Sequence, residues 1–310
     1  MFKNPFKTNK IENWYEKGLI SANKREYYEA IKYFDKALEM DSNRADILSS
    51  KALALYALEK YEKALNYCNK AIKIDTNYYN AWYFKALVLN RLKRYEEALK
   101  YFDKALELEV QDEAVWRNKG NTLKELKMFD EALKCYNKVL ELNNKDFYTW
   151  NNKCIVLILL EQFDEALKCY NKALKLNPNN AYFLNGKGFV LFNLEFYDEA
   201  LKCLDEALKL DPDILETWGT KGNVLNQLKY YEEALKCYNK VLELDPNDVN
   251  GWYKKGYTLM KLGKNQEALK CFNKVLELNH DDEDAKKYKE ELLSSKDENV
   301  VSKHSNFRMQ

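Results

Sequence analysis

The chain has few of the residues that interrupt regular helices. Its 310 residues include 9 glycines and 4 prolines, which argues against a fold of short strands joined by tight turns. The longest apolar run, CIVLILL at 154–160, is far shorter than the ~18 residues that a membrane-spanning helix needs. The first ten residues, MFKNPFKTNK, have neither an apolar core nor a small-residue cleavage site, so no signal peptide is predicted.

Net charge and catalytic motifs are also missing, which excludes several function classes. Lys and Arg total 50 against 49 Asp and Glu, so the net charge of +1 does not drive the chain toward nucleic acid or an anionic membrane. No glycine-rich phosphate loop, GxSxG, HExxH or Walker pattern occurs, and we predict no enzyme, no cofactor and no metal site. Seven cysteines without an export signal indicate a reducing setting and a cytoplasmic location.

What the chain does have is a period of 34 residues. The segment EALKCYNKVLEL occurs at 131–142 and again at 233–244, and related copies begin at residues 165, 199 and 267. Extending this frame gives eight repeats without an insertion or deletion, preceded by an N-terminal extension at 1–10. The repeats, called one to eight and each numbered internally from position 1 to 34, are 11–44, 45–78, 79–112, 113–146, 147–180, 181–214, 215–248 and 249–282.

Each repeat carries the pattern of two amphipathic helices. Position 4 holds all six tryptophans, and Leu48 and Leu184 occupy it in repeats two and six. Position 8 is Gly, Ala or Cys and position 20 is always Ala, so the paired helices can approach closely. Because positions 4, 8 and 11 share one helical face, as do 20, 24, 27 and 28, helix A is predicted near positions 2–14 and helix B near 17–30.

One such hairpin cannot bury its apolar face alone, so neighbouring repeats must stack. Trp at 4, a small residue at 8, Leu at 11, an aromatic at 17, Ala at 20 and 27 and Pro at 32 resemble the tetratricopeptide repeat (TPR) over residues 11–282. The resemblance implies an all-α fold, a right-handed superhelical α-solenoid of antiparallel helix pairs. It does not select one function, because the family hosts many roles.

Lysine and cysteine recur at fixed positions that invite a chemical interpretation. Position 7 is Lys in all eight repeats: either a phosphate-binding stripe, or buried stems whose ammonium groups reach carboxylates such as those at position 19. The balanced charge favours the second interpretation. Helix axes pack about 8–10 Å apart and a disulfide needs Cα atoms within ~7 Å, so we predict packing roles for the thiols at position 23. These are Cys135, Cys169, Cys203, Cys237 and Cys271.

The resemblance places helix A along a concave groove lined by positions 2, 5, 6, 9, 12 and 13. Asparagine amides can match the backbone of an extended peptide, and the largely apolar helix A of repeat five predicts an apolar patch for a partner. The alternative is that these side chains only fill space between neighbouring A helices. The predicted peptide-binding residues are Arg117, Asn118, Asn121, Tyr148, Asn151, Asn152, Ile155, Ile158, Leu159, Tyr182, Asn185, Phe189, Phe192, Asn223 and Asn226.

The carboxylate clamp of chaperone-binding family members is matched only in part. Arg117, Asn121 and Asn152 fit its first three slots loosely, but Tyr182 and Gly186 stand where the clamp has cations. A chaperone C-terminal tail is therefore not the predicted ligand.

The segment after the repeats has two parts. Residues 283–295 are predicted to form a capping helix that turns Ala285, Tyr288 and Leu292 inward. The polar stretch 296–310 is predicted to be a flexible tail. It can span up to ~50 Å, enough to dock in the groove of its own or a neighbouring copy and so cause weak self-association.

The sequence therefore predicts a non-enzymatic scaffold or adaptor that binds an extended peptide segment of another protein in the concave groove. A structural role through end-to-end or groove–tail self-assembly is the alternative. RNA binding by helical repeats is a distant third, because the balanced charge supplies no basic stripe. Neither a membrane nor a nucleic acid is favoured as a partner.

Overall fold

A computed structural model describes the backbone of residues 5–306 and the side chains of residues 8–294. Within that range the chain forms seventeen α-helices and no strand. The helices are α1 (Pro5–Asn23), α2 (Tyr27–Met40), α3 (Ala45–Ala57), α4 (Tyr61–Ile74), α5 (Tyr79–Arg91), α6 (Tyr95–Leu108), α7 (Glu113–Glu125), α8 (Phe129–Leu142), α9 (Phe147–Leu159), α10 (Phe163–Leu176), α11 (Ala181–Asn193), α12 (Tyr197–Leu210), α13 (Leu215–Gln227), α14 (Tyr231–Leu244), α15 (Val249–Lys261), α16 (Asn265–Leu278) and α17 (Glu283–Asn306).

Each repeat supplies one A helix and one B helix, as the pattern predicts. From repeat two onward, helix A covers positions 1–13 and helix B positions 17–30, within one residue of the predicted bounds. The turn between them places position 15 in the left-handed region, at φ 58° for Glu59 and 63° for Lys229. Only Gly263 is a glycine at this position, with φ 72°. The turn is therefore held by its surroundings and not by a glycine signal.

The small residues at positions 8 and 20 lie where the two helices of a repeat meet. All eight position-20 alanines are fully buried. A Cβ built on Gly120 would lie 2.7 Å from Cε1 of Tyr136, and one built on Gly222 would lie 2.7 Å from Cε1 of Tyr238. Because real Cβ atoms do not approach carbon this closely, the close helix crossing predicted from position 8 is confirmed.

Tryptophan at position 4 ties helix A to the loop that precedes it. The indole Nε1 of Trp82 donates a hydrogen bond to the carbonyl of Thr76 at 2.8 Å. Trp218 and Trp252 make the same bond, to the carbonyls of Pro212 and Pro246, at 2.8 and 2.9 Å. The indole thus satisfies a loop carbonyl while its ring covers apolar surface.

The position-7 lysines are structural, as predicted, although the predicted acidic partner at position 19 is wrong. Lys221 pairs instead with the position-25 carboxylate of the preceding repeat, Asp205, at 2.6 Å. Lys51 and Lys119 form the equivalent ion pairs, with Asp35 and Asp103. The ammonium groups also lie over the position-4 ring, 5.5 Å from Trp116 for Lys119 and 5.7 Å from Trp218 for Lys221.

Four of the five position-23 cysteines are buried free thiols, which confirms their packing role: Cys135, Cys203, Cys237 and Cys271. Burial raises the pKa of Cys135 and Cys237 to about 11, so these thiols stay protonated and unreactive at neutral pH. The fifth, Cys169, is disulfide-bonded, and the prediction was wrong for that residue.

The chain divides into two compact halves, residues 1–156 and 157–310. Within each half the two helices of a repeat pack together and the A helices of successive repeats also touch, as α3 touches α5 and α11 touches α13. The all-α class built from tandem helix pairs is confirmed. Among the described residues, no helix has both the length and the apolar character to cross a membrane.

Helix α17 closes the C-terminal half. Ala285 and Leu292 are buried as predicted, and Tyr288 stacks on Phe272 with ring centroids 5.4 Å apart. The backbone is helical to Asn306, beyond the predicted end of the cap. Side chains after Ser294 lie outside the described residues, so the docking of a tail in the groove stays a prediction.

Candidate functional site

All fifteen predicted groove residues are exposed or half-buried, and none lies in the core. Several apolar members are open to solvent: the exposed fraction is 61% for Tyr148, 53% for Leu159, 64% for Tyr182 and 36% for Phe189. Side chains of this size normally bury their apolar surface. Apolar residues outside the predicted set, such as Tyr28 and Phe196, are similarly exposed, so exposure by itself does not distinguish a binding surface.

In the N-terminal half, much of the predicted hydrogen-bonding capacity is already used. Nε of Arg117 lies 3.0 Å from Oδ2 of Asp146, an ion pair that lacks hydrogen-bond alignment. Asn118 donates from Nδ2 to the hydroxyl of Tyr83 at 3.0 Å and to the carbonyl of Ala114 at 2.8 Å. The bond to Tyr83 joins α7 to α5, the ion pair joins α7 to the residue that precedes α9, and the bond to Ala114 lies within α7. Both residues therefore make contacts within the fold of this half.

Asn121 and Asn152 are likewise engaged with neighbours. Oδ1 of Asn121 accepts hydrogen bonds from the hydroxyl of Tyr136 at 2.9 Å and from Nδ2 of Asn152 at 3.1 Å. Oδ1 of Asn152 accepts from Nζ of Lys124 at 3.3 Å. An amide with its strongest sites occupied has less to offer a peptide.

The C-terminal half contains a cavity of about 410 Å³ on the A-helix side, which we call the Phe189 cavity. It brings together four of the predicted residues from the A helices of repeats five to seven. Its volume lies within the ~300–1,000 Å³ typical of ligand sites. The four are Ile158, Asn185, Phe189 and Asn223.

Two glycines, which the pattern analysis did not single out as ligand-facing, shape this cavity. Apart from its chain neighbours and the backbone of its own helix, no described heavy atom lies within 4 Å of a Cβ built on Gly219, so the backbone of α13 is accessible there. A Cβ built on Gly186 would collide with the hydroxyl end of Tyr170. Burial raises the pKa of Tyr170 to about 12, so its hydroxyl is a neutral donor at the cavity wall.

Two amide carbonyl groups on this side are buried and have no hydrogen-bond donor among the described residues. They are Oδ1 of Asn185, which lines the Phe189 cavity, and Oδ1 of Asn226. Nδ2 of Asn226 does donate, to Oγ1 of Thr258 at 2.8 Å. A buried acceptor without a partner costs about 1–3 kcal/mol, which a ligand N–H can recover.

A second cavity of about 280 Å³, the lysine cavity, adjoins the first and shares Asn223 and Lys254 with it. Lys229 and Lys261 also line it, and none of the three lysines forms an ion pair within the described part of the chain. Nζ of Lys261 lies 5.0 Å from the ring centroid of Tyr257. The result is a local positive charge in a chain whose net charge is near zero.

Phe192, Asn223 and Asn226 line this second cavity, and Lys254 and Lys261 also occupy predicted groove positions, 6 and 13. The sequence did not predict a local positive charge, because the charges at the groove positions of the whole chain are balanced. Lys229 is at position 15, in the turn between helices A and B, and that position was not among the predicted groove positions. Counting charges along the chain cannot reveal it, because the lysines come from repeats seven and eight. Because these side chains carry positive ammonium groups, they can attract an anionic group of a ligand.

Family models identify the class to which this chain belongs. Tetratricopeptide repeat models match residues 114–214 and 249–282, and a TPR repeat model matches 222–263. Together these matches cover more than half of the sequence, so the chain is a member of the TPR family. A model described as anaphase-promoting complex, cyclosome, subunit 3 matches residues 23–105. No curated protein matches the sequence.

Two solved structures, a TPR protein and a chain of an APC/C complex, agree with this fold. A TPR protein from Parabacteroides merdae is 16% identical with a TM-score of 0.63, over 80% of this chain and 98% of that one. A chain of the Cut9–Hcn1 hetero-tetramer of the APC/C is 18% identical with a TM-score of 0.60, over 86% and 52%. YrrB, described as a TPR protein with an unusual peptide-binding site, is 28% identical with a TM-score of 0.49, over 61% and 97%.

Proposed function

We propose that this protein is a non-enzymatic adaptor that holds an extended peptide segment of a partner along the A helices of repeats six to eight. One observation carries the proposal: the Phe189 cavity and the lysine cavity adjoin on that surface and combine three kinds of unsatisfied group. These are exposed apolar side chains, buried amide oxygens without donors and lysines without counter-ions.

An extended backbone suits the amide groups. Oδ1 of Asn185 and Oδ1 of Asn226 each lack a donor, and a peptide in extended conformation presents free N–H groups along its length. Neighbouring A helices are about 8–10 Å apart and an extended chain advances about 3.3–3.6 Å per residue. Successive contacts on α11 and α13 therefore correspond to peptide residues about two to three apart.

Side-chain selectivity follows from the two cavities. Ile158 and Phe189 offer apolar walls for a bulky aliphatic or aromatic residue. Lys229, Lys254 and Lys261 favour an acidic residue at the adjoining position. Lys229 follows α13 and the other two lysines are on α15, one and two A-helix steps from Phe189 on α11. We therefore propose that the preferred segment has a bulky apolar residue and an acidic residue about two to six positions apart.

An array of ten-residue peptides probed with the full chain tests the proposal. Peptides with the apolar and acidic residues at this spacing should bind best, and fluorescence anisotropy on the best peptide should show about a tenfold loss for Phe189→Ala. Phe196→Ala is the matched control, because Phe196 is an exposed phenylalanine of the same repeat outside both cavities.

Lys254→Ala should weaken the same peptide several-fold, and the exposed helix-B residue Lys202 provides the control variant Lys202→Ala. If Phe189→Ala and Lys254→Ala both bind the best peptide as tightly as the unmodified chain, the groove of repeats six to eight is not the binding site. If no array peptide binds, the proposed ligand class is wrong.

A further inference from the structure

A cavity outside the A-helix groove lies at the one place in the N-terminal half where position 4 is not tryptophan. It has a volume of about 760 Å³ and is lined by α2, α3 and α4 of repeats one and two, with Leu48 in its wall. We call it the Leu48 cavity. Repeats one and three, on either side, carry Trp14 and Trp82 at the same position.

Repeats one and three show what a tryptophan at position 4 contacts when position 23 is tyrosine. The ring of Trp82 stacks on Tyr101, with centroids 5.8 Å apart and an interplanar angle of 19°, while Trp14 stacks on Tyr33 at 5.7 Å and 18°. The indole Nε1 of Trp82 donates to the carbonyl of Thr76. In these two repeats the indole stacks on the tyrosine at position 23, and that of Trp82 also bonds a carbonyl at position 32 of the preceding repeat. From repeat four onward position 23 is cysteine, so this stacking is specific to the first repeats.

Repeat two keeps these contact groups and lacks only the indole. Tyr67 occupies position 23, as Tyr101 does in repeat three, and Ser42 is the counterpart of Thr76. Both Tyr67 and Ser42 line the Leu48 cavity. The loop is also conserved in shape, since the amide of Asn43 donates to Oδ1 of Asp41 just as the amide of Asn77 donates to Oδ1 of Asp75.

The lysine at position 7 does not take the missing ring's place. Nζ of Lys85 lies 3.9 Å from the ring centroid of Tyr101 while Trp82 stacks on that same ring. In repeat two, Nζ of Lys51 holds the equivalent place, 4.1 Å from the ring centroid of Tyr67. The position that an indole would take against Tyr67 lies in the cavity, where Nζ of Lys70 is 5.0 Å from the ring centroid of Tyr67. The corresponding Lys36 of repeat one lies over the indole of Trp14, 4.4 Å from its centroid, so we expect Lys70 to move onto a bound ring in the same way.

Lys51 is fully engaged with the protein and is not a free anion site. Its ammonium pairs with Asp35 and donates to the hydroxyl of Tyr67 at 2.6 Å, and the residue is only 7% exposed. The other walls include the apolar Leu38 and Ile74. What this lining favours is a flat ring with an electron-rich face for the nearby ammonium groups and one N–H donor for the loop carbonyl.

We propose that the Leu48 cavity binds the indole ring of a tryptophan presented by a partner protein. Indole has the planar face, the attraction for ammonium groups and the single N–H that the vacated contacts call for. The cavity is larger than one ring, so residues beside the partner's tryptophan can lie against Asn43 and Lys70 at the rim. This site is separate from the groove proposed above, and either can fail without the other.

Titration of N-acetyl-L-tryptophanamide into the 15N-labelled full chain, followed by amide chemical shifts, tests the assignment. Saturable binding is expected with a Kd on the order of 1 mM, as befits a single side chain without its flanking peptide. Shifts should concentrate on α2, α3 and α4. N-acetyl-L-leucinamide should bind at least tenfold more weakly, because it lacks both the ring and the N–H donor.

Leu48→Trp supplies the missing indole within the chain and should abolish binding of the probe. Leu184→Trp, which makes the same substitution at position 4 of repeat six, is the matched control and should bind as the unmodified chain does. Tyr67→Leu, which removes the stacking face without filling the cavity, should weaken the probe about tenfold and serves if the first variant does not fold.

Four results would overturn the proposal. The first is no saturable binding of N-acetyl-L-tryptophanamide, and the second is binding that survives both Leu48→Trp and Tyr67→Leu. The third is equal affinity for the leucine probe, which would make the cavity a general apolar cleft. The fourth result comes from a titration with free tryptophan. If this zwitterion binds more tightly than the amide-capped probe, the ligand is not a tryptophan within a partner protein.

Discussion

A hydrogen bond joins Asn226 of repeat seven to Thr258 of repeat eight. Nδ2 of Asn226, on α13, donates to Oγ1 of Thr258, on α15, at 2.8 Å. The same pair of positions recurs in the N-terminal half, where Nδ2 of Asn90 bonds to Thr122. Position 12 of one A helix is thus joined to position 10 of the next. An asparagine that the sequence places in the groove also fixes the spacing of the helices that form it.

Replacing Asn226 should therefore cost both stability and binding. Asn226→Ala removes the bond to Thr258 and also removes the buried Oδ1 that has no donor. Because the second change offsets part of the first, we expect a net loss below about 1 kcal/mol in the free energy of unfolding, measured by urea denaturation. Asn193→Ala is the control, because Nδ2 of Asn193 bonds only within its own helix, to the carbonyl of Phe189. Equal effects of the two variants would show that the cross-repeat bond contributes nothing measurable.

Two glycines of α13 should respond in opposite directions to the same substitution. A methyl group at Gly222 would collide with Tyr238, whereas one at Gly219 would meet no described atom within 4 Å beyond its chain neighbours and its own helix backbone. Gly222→Ala should lower the free energy of unfolding by about 1–3 kcal/mol. Gly219→Ala should raise it by about 0.5–1 kcal/mol, since alanine restricts the unfolded chain and favours helix.

Thermal or urea unfolding of the two glycine variants provides the measurement, and each is the control for the other. Destabilisation by Gly219→Ala would mean that the A-helix face at this point is covered and not open. That result would count against the Phe189 cavity as a peptide site.

Stability should fall at alkaline pH because several buried acids have raised pKa values. Burial raises the pKa of Cys135 and Cys237 to about 11 and that of Tyr170 to about 12, against unfolded values of about 8.5 for Cys and 10 for Tyr. The folded chain then binds more protons than the unfolded chain above pH ~8.5, so this stabilisation is intact below that pH and is lost as the pH rises through the folded values.

Urea midpoints between pH 7.5 and 11 test this. A Cys135→Ala/Cys237→Ala double variant should show a shallower decline between about pH 8.5 and 11 than the unmodified chain. The comparison is of slopes, because the alanine substitutions also change stability at neutral pH. Parallel slopes would show that the two thiols are accessible enough to ionise in the folded chain.

Affinity for the best array peptide should depend on salt through the lysine cavity. Raising NaCl from 50 to 500 mM shortens the Debye length from about 14 to 4 Å, so we expect several-fold weaker binding of a peptide with an acidic residue. The same peptide with that residue changed to glutamine should be much less sensitive. Identical salt dependence of the two peptides would exclude Lys229, Lys254 and Lys261 as the group that recognises the acid.

Much of the fold could be predicted because its information is local. The identity of positions 8 and 20 predicts the helix crossing, and the buried Ala132 and the close approach of Gly120 to Tyr136 confirm it. The A–B turn was placed correctly even though residues such as Glu59 hold a left-handed conformation without being glycine. The hydrophobic period defines the helices on either side, and the residues left between them must form the turn.

The candidate site was predicted less completely, because it depends on contacts between repeats. Lys221 pairs with Asp205, which lies sixteen residues earlier, in the preceding repeat. The sequence had suggested a glutamate at position 19 as its partner. Asn118 donates a hydrogen bond to Tyr83 and Asn121 accepts one from Tyr136, whereas Oδ1 of Asn185 has no donor among the described residues. The same residue type at groove positions therefore has different roles.

By itself, the sequence determined the 34-residue period, the helix pairs and the buried small residues, because each depends on side chains within one hairpin. Only the tertiary structure decided which amides have no hydrogen-bond partner and where lysines without counter-ions come together. It also decided that a cavity lies beside Leu48, where the neighbouring repeats have tryptophan. Those properties arise only when neighbouring repeats stack, since the hydrogen bonds, ion pairs and cavities concerned are formed by residues of different repeats.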